Sequence, residues 1–160
     1  MGQISGEQIE PARAIEFDAF FEREALGQLR RTVLLLGSEA DAGDVVQEAF
    51  ARLWERWDRL DEPGPYLNRT VLNLCRDHAR RARRHRGVLA RLDRRPETTE
   101  HSELLDDVLA GLPFNQRAAI VLRYWAGMTN DEIAHELGCA PGSVGPWIRR
   151  ALDTMGKELR

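Results

Sequence analysis

Apolar residues recur at three- and four-residue steps along most of this chain, and no stretch alternates apolar and polar as a half-buried strand would. The clearest run spans residues 39–57, with Ser38 as its cap. Ala42, Val45, Val46, Ala49, Phe50, Leu53, Trp54 and Trp57 form one broad stripe there. Asp44, Gln47, Glu48, Arg52 and Glu55 fall on the other side. An earlier helix begins at Ile15, carries Phe17, Phe20, Phe21, Leu26, Leu29, Val33 and Leu36, and stops at Gly37. Residues 1–14 read as a disordered N-terminus. Residues 58–65 (DRLDEPGP) read as a loop, because Pro-Gly-Pro and clustered charge break the period. Residues 66–86 return to a helix whose inner face is Leu67, Thr70, Val71, Leu74, Cys75 and His78. Its outer face carries Asn68, Arg69, Asn73, Arg76, Asp77, Arg80, Arg83 and Arg84.

Residues 87–102 have the composition of a linker. Leu104, Leu105, Val108 and Leu109 then make a short helix ending at Gly111. Pro113 opens another, with Ala118, Val121, Leu122 and Trp125 inward and Gly127 as its stop. Residues 128–152 read as helix, tight turn, helix. Thr129 and Glu132 have capping-box spacing, and Ile133, Ala134 and Leu137 follow at helical intervals. Gly138 suits a left-handed helix end, and Pro141 suits a first helical position. Val144, Ile148, Leu152 and Met155 line one face of the last helix, with Arg149 and Arg150 largely off it. Such a pair suits insertion of its second helix into a DNA major groove. The predicted fold is all-α: two small helical domains, residues 15–86 and 103–160, joined by a flexible linker, the second a helix-turn-helix domain.

Charge sharpens this picture. The net charge is −3, but residues 66–95 carry 10 basic and 2 acidic groups, between flanks that are net acidic. A concentrated positive block attracts a polyanion whatever the total. Arginines repeating along one side of a helix can follow phosphates. Two cysteines, Cys75 and Cys139, are too few for a disulfide framework and fit a reducing cytoplasm. The opening residues lack the apolar core of a secretory signal, and the apolar run at residues 33–36 is far too short to cross a membrane. Cys75, Asp77 and His78 lie close together, but a thiol and a histidine on a buried helix side are ordinary core residues. The four histidines show no zinc-ligand spacing, and there is no Gly-rich phosphate loop. No catalytic residue, metal or cofactor is therefore expected.

Three segments in order resemble a known family: DAGDVVQEAFARLWERW (41–57), YLNRTVLNLCRDHARRARR (66–84) and GLPFNQRAAIVLRYWAGMTNDEIAHELGCAPGSVGPWIRRAL (111–152). The chain resembles bacterial RNA polymerase sigma factors of the extracytoplasmic-function (ECF) group, over about residues 15–86 and 103–158. The resemblance implies a transcription initiation factor that binds core RNA polymerase, recognises minus-10 and minus-35 promoter elements and promotes DNA opening without hydrolysing anything. It places Asp44, Gln47, Glu48 and Arg52 on the polymerase-binding helix. It gives the loop at Asp61 and the helix residues Tyr66, Asn73, Arg76, Asp77, Arg80, Arg81 and Arg84 to the minus-10 element and melting. It gives Ser143, Trp147, Arg149 and Arg150 to the minus-35 element. It also implies an anti-sigma protein as a further partner, and a tether that lets the two domains pack together or spread apart.

The sequence departs from that family twice. Tyr66 stands where tryptophan is usual, which keeps an aromatic for stacking. Gly145, Pro146 and Trp147 replace polar and basic residues near the start of the recognition helix. Pro146 removes one backbone hydrogen bond and is expected to kink the helix or delay its start. Direct readout would rest on Ser143, Arg149 and Arg150, with reading of the minus-35 element weaker or more shape-based than the family norm. The alternative function is a sigma-like helix-turn-helix regulator that does not direct initiation.

Overall fold

A computed structural model describes residues 9–89 and 100–160 of the 160-residue chain. Seven α-helices follow in order: α1 (Ile9–Leu36), α2 (Glu39–Arg56), α3 (Pro63–Leu89), α4 (Glu100–Gly111), α5 (Phe114–Tyr124), α6 (Asn130–Leu137) and α7 (Pro141–Glu158). One 3₁₀ turn, Trp57–Arg59, separates α2 from α3. Among the described residues no helix is long and apolar enough to cross a membrane.

α1, α2 and α3 pack pairwise into one bundle, and α5, α6 and α7 into another, with α4 against α7. α2 buries the stripe its sequence announces: Ala42, Val45, Val46, Ala49, Phe50 and Leu53. The Ser38 hydroxyl accepts from the Asp41 N–H at 3.2 Å and caps it. Phe17, Phe20 and Phe21 of α1 meet Phe50, Trp54 and Trp57 edge-on or tilted, with ring centroids 4.6–6.5 Å apart. Such aromatic pairs contribute about 0.5–1.5 kcal/mol each beyond the area they bury.

Several boundaries and faces differ from the sequence expectation. α1 begins at Ile9, so Ile9–Ala14 belong to a helix and not to a disordered terminus. Arg13 anchors that turn. It donates to the Trp54 carbonyl at 2.7 Å, lies over the Trp54 ring at 4.1 Å, and pairs with Asp58 at 3.0 Å. The buried stripe of α1 holds Phe20, Gln28, Thr32 and Leu35, whereas Ile15, Phe21 and Leu26 are exposed. α3 starts at Pro63, so the loop shrinks to residues 60–62. Trp125 was expected inside but is half exposed, because α5 ends at Tyr124 and the chain turns through Gly127 at a φ of 66°. The expected linker overlaps the ends of α3 and α4, and its middle, residues 90–99, lies outside the described residues.

The two bundles are not separate bodies. α1 packs on α4 and α5, and α3 packs on α6. One apolar cluster runs from Phe20, Leu35 and Val71 to Ala118, Leu122, Leu137 and Val144. Arginines join the bundles through helix ends. The last carbonyls of a helix have no partner inside it. Arg117, buried at the start of α5, donates to the Leu35 carbonyl near the end of α1. It also donates to the Ala110 and Leu112 carbonyls at 3.1 and 2.9 Å, at the end of α4. Arg76 of α3 donates to the Leu137 carbonyl at the end of α6, at 3.0 Å. A cation at a helix C-terminus also meets the negative end of the helix dipole.

Candidate nucleic-acid interface

The outward face of α2 presents Asp44, Gln47, Glu48 and Arg52, all exposed. Glu48 and Arg52 pair with each other at 2.8 Å across one helical turn, so the face offers two free polar groups beside one internally satisfied pair. It borders a shallow groove whose far wall is Leu74, His78 and Arg81 of α3. His78 pairs there with Asp41 at 3.4 Å.

Helical spacing puts Tyr66, Asn73, Asp77, Arg80 and Arg84 along one stripe of α3. Asn73, Asp77, Arg80 and Arg84 are exposed. Tyr66 is half-buried against the core, and the Arg56 guanidinium lies 5.9 Å from its ring centroid. Asp61 is exposed in the short connection before α3. Arg81 faces the α2 groove. Arg76 lies on the opposite flank, turned to α6, where Arg69 also donates to the His135 Nε2 at 3.0 Å.

In the helix-turn-helix, the capping box forms as its spacing predicts. The Thr129 hydroxyl accepts from the Glu132 N–H at 3.2 Å, and the Glu132 carboxylate accepts from the Thr129 N–H at 2.7 Å. Gly138 ends α6 at a φ of 65°, a left-handed conformation costly for residues with a Cβ. α7 starts at Pro141 and continues past Pro146, so the proline does not delay the helix. Val144 and Ala151 are buried, and Arg149 and Arg150 are exposed. Gly145 faces α6, close to the Asn130 amide, so its lack of a side chain takes nothing from the outer face. Asn130 is held in turn by Arg123.

Ser143 is half-buried in the first turn of α7. Trp147 is set apart from the arginines. It is half-buried against the core and lines a cleft of about 710 Å³ between α3 and the second bundle, with Arg76, Arg80, Arg83, Leu112 and Phe114. Two residues important to this arrangement escaped sequence reasoning. Arg13 lay in a stretch read as disordered. Arg117 looked like one more charge at the start of an apolar run, and no spacing announces its partners 82, 7 and 5 residues away.

Cys75 is fully buried, and His78 turns to Asp41, so no thiol–imidazole pair forms. Burial pushes the Cys75 thiol up to about 12, against smaller opposite effects of the Thr32 hydroxyl and Arg117. A thiol with that pKa stays protonated and unreactive at pH 8. Iodoacetamide on the folded protein at that pH should give one adduct, on half-buried Cys139, while denaturant exposes the second. Peptide mass spectrometry reads this directly, and rapid native labelling of Cys75 would contradict the burial.

Residues 9–85 match the family model described as Sigma-70 region 2, and residues 102–155 that described as Sigma-70, region 4. The chain is 31% identical over 153 residues to the RNA polymerase sigma-E factor of Streptomyces coelicolor, covering 91% of this chain and 86% of that protein. It is 29% identical to the ECF RNA polymerase sigma factor SigL of Mycobacterium tuberculosis, covering 100% and 97%. Among solved structures it resembles CnrH in complex with the cytosolic domain of CnrY. The TM-score is 0.66 at 26% identity, over 89% of this chain and 86% of that one. The fold also matches the Bartonella quintana sigma factor RpoE, solved with the anti-sigma factor NepR, with a TM-score of 0.70 at 19% identity over 88% and 96%. With both regions matched in order and relatives aligned nearly end to end, the chain belongs to the sigma-70 family, as an RNA polymerase sigma factor of the ECF group.

Proposed function

We infer that the chain works in the cytoplasm as an initiation factor with three binding faces and no catalytic chemistry. The exposed acid–amide face of α2, with Asp44, Gln47, Glu48 and Arg52, docks on core RNA polymerase. Charge there gives orientation and rate more than affinity. The α3 stripe of Asn73, Asp77, Arg80 and Arg84, with Arg76 and Arg81 on its flanks, holds the single strand of the minus-10 element. Tyr66 stacks beside a base, and the connection at Asp61 receives a flipped one. Melting follows from tighter binding to single strand than to duplex, which shifts the equilibrium without hydrolysis. α7 enters the major groove at the minus-35 element with Ser143, Arg149 and Arg150, while Trp147 serves the packing of α7. An anti-sigma protein, as NepR is for the Bartonella quintana RpoE, is the expected antagonist.

The observation that carries this reading is the presence in one chain of regions 2 and 4 in the family's order. The test is reconstitution with core polymerase and a promoter carrying a base analogue that fluoresces when unstacked. A fluorescence rise and a run-off transcript that need both proteins support it. Core binding without either favours a sigma-like regulator, and no core binding sinks the reading. Arg149 gives a sharper check. Arg149→Ala should weaken duplex binding at the minus-35 element by about 1–3 kcal/mol if the guanidinium reads a base. If it touches only phosphate, binding should fall uniformly across sequences and the salt slope by about one. Unchanged affinity and slope would remove Arg149 from the interface.

A further inference from the structure

We propose that the main-chain carbonyl of Gly142 is a base-reading acceptor, opened by Pro146, that makes the chain prefer adenine or cytosine at one position of the minus-35 element. The proposal rests on the reading of α7 as the major-groove helix. In an α-helix the carbonyl of residue 142 accepts from the N–H of residue 146. Residue 146 is a proline inside α7, so that donor does not exist and the ring stands in its place. The carbonyl is thereby released from the helical ladder in the second residue of α7, the end that a recognition helix presents to base edges.

Gly142 lies on the exposed side of α7, and a Cβ built on it would meet nothing within 4 Å, so the side-chain direction at this position is open. Helical spacing puts Gly142, Pro146, Arg149 and Asp153 on the face opposite the buried Val144 and Ala151. A glycine peptide can tilt its carbonyl away from a proline ring without dragging a side chain against the DNA. The glycine and the proline that seem to empty this face of chemistry thus leave on it an acceptor that a regular helix would hide.

The identity of the base follows from groove chemistry. In the major groove only the N6 amine of adenine and the N4 amine of cytosine donate, while guanine and thymine present acceptors at the corresponding edges. An open carbonyl therefore favours A or C and is repelled by the O6 of guanine or the O4 of thymine. The arginines of the same helix act in the reverse sense, donating to guanine or phosphate. α7 thus combines a main-chain acceptor in its first turn with side-chain donors two turns on.

The test uses the full chain bound to core polymerase and selects from promoter duplexes with a randomised minus-35 block, comparing wild type, Pro146→Ala and Arg149→Ala. Alanine at 146 restores the N–H, favours the helix and closes the carbonyl. In wild type one position should be enriched in A or C. In Pro146→Ala that preference should flatten by about three- to tenfold, the worth of one hydrogen bond, with other positions unchanged. Replacing the selected base by its counterpart lacking the amine should cost wild type the same factor and the variant nothing. A Pro146→Ala pattern identical to wild type, or a wild type with no position favouring an amine-bearing base, overturns the proposal. If wild type binds core but selects no minus-35 sequence, and Arg149→Ala changes nothing, the reading of α7 as a major-groove helix fails as well.

Discussion

Arg117→Met should lower the melting temperature by roughly 6–15 °C and loosen the contact between the two bundles. Methionine keeps the length and apolar stem of arginine but donates nothing. Three main-chain carbonyls, of Leu35, Ala110 and Leu112, then lose a charged donor. A hydrogen bond to a charged group is worth about 1.5–3 kcal/mol, and a buried acceptor left without a partner costs its desolvation. The losses overlap, so a total of about 3–5 kcal/mol is expected, which in a chain of this size corresponds to a few degrees per kcal/mol. Because Arg117 ties the end of α1 to the end of α4, the radius of gyration by small-angle scattering should rise even where the variant stays folded. Arg117→Lys, with one compact donor group, should fall between wild type and methionine. A methionine variant with unchanged melting and unchanged radius would mean the three bonds add nothing to the closed packing.

Local signals were legible wherever structure is set by neighbours in sequence. The α2 stripe from Ala42 to Leu53, the Ser38 cap, the Thr129–Glu132 box and the left-handed Gly138 all follow from spacing and residue type. α1 is legible only in part: Phe17, Phe20 and Leu36 do face the core, but the buried face also contains Gln28 and Thr32. Thr32 satisfies its hydroxyl on the Gln28 carbonyl at 2.7 Å, and Gln28 donates to the Asn68 Oδ1 at 2.6 Å, so both can be buried. A scan for apolar periodicity discards such positions and promotes exposed Ile15, Phe21 and Leu26 instead. The exposed polar faces of α2 and α3 and the outer arginines of α7 could be picked from spacing. The seam could not. It is made of arginine side chains reaching helix-end carbonyls and of a polar layer at Arg31, Asn68 and Glu136, and neither leaves a period in the sequence.

That seam sets up the second large effect. A compact chain of this length has a radius of gyration of about 15 Å and a diameter of about 40 Å. Two promoter elements centred about 25 base pairs apart lie roughly 85 Å apart along the duplex. The closed packing is too short to span both, so initiation is expected to need the bundles to part. The seam favours it, since the Glu136 Oε2 of α6, beside Arg31 of α1, is buried in the closed form without a hydrogen-bond partner and regains water on opening. A covalent staple tests this. A Cβ at Gly37, just after α1, would lie 3.9 Å from the Ala110 Cβ of α4, inside the range of about 3.5–4.5 Å for a disulfide. Gly37→Cys with Ala110→Cys, in a Cys139→Ser background, should therefore cross-link under mild oxidation, and buried Cys75 should not compete. The left-handed φ of 70° at Gly37 costs the reduced variant about 1–2 kcal/mol. The closed bond should return about 4 kcal/mol by restricting the unfolded chain. The oxidised protein should thus melt higher than the reduced one yet give at least tenfold less run-off transcript from a two-element promoter. Reductant should restore transcription. Full activity from completely cross-linked protein would show that the bundles need not separate at this seam. Loss of activity that reductant does not reverse would trace to the substitutions themselves.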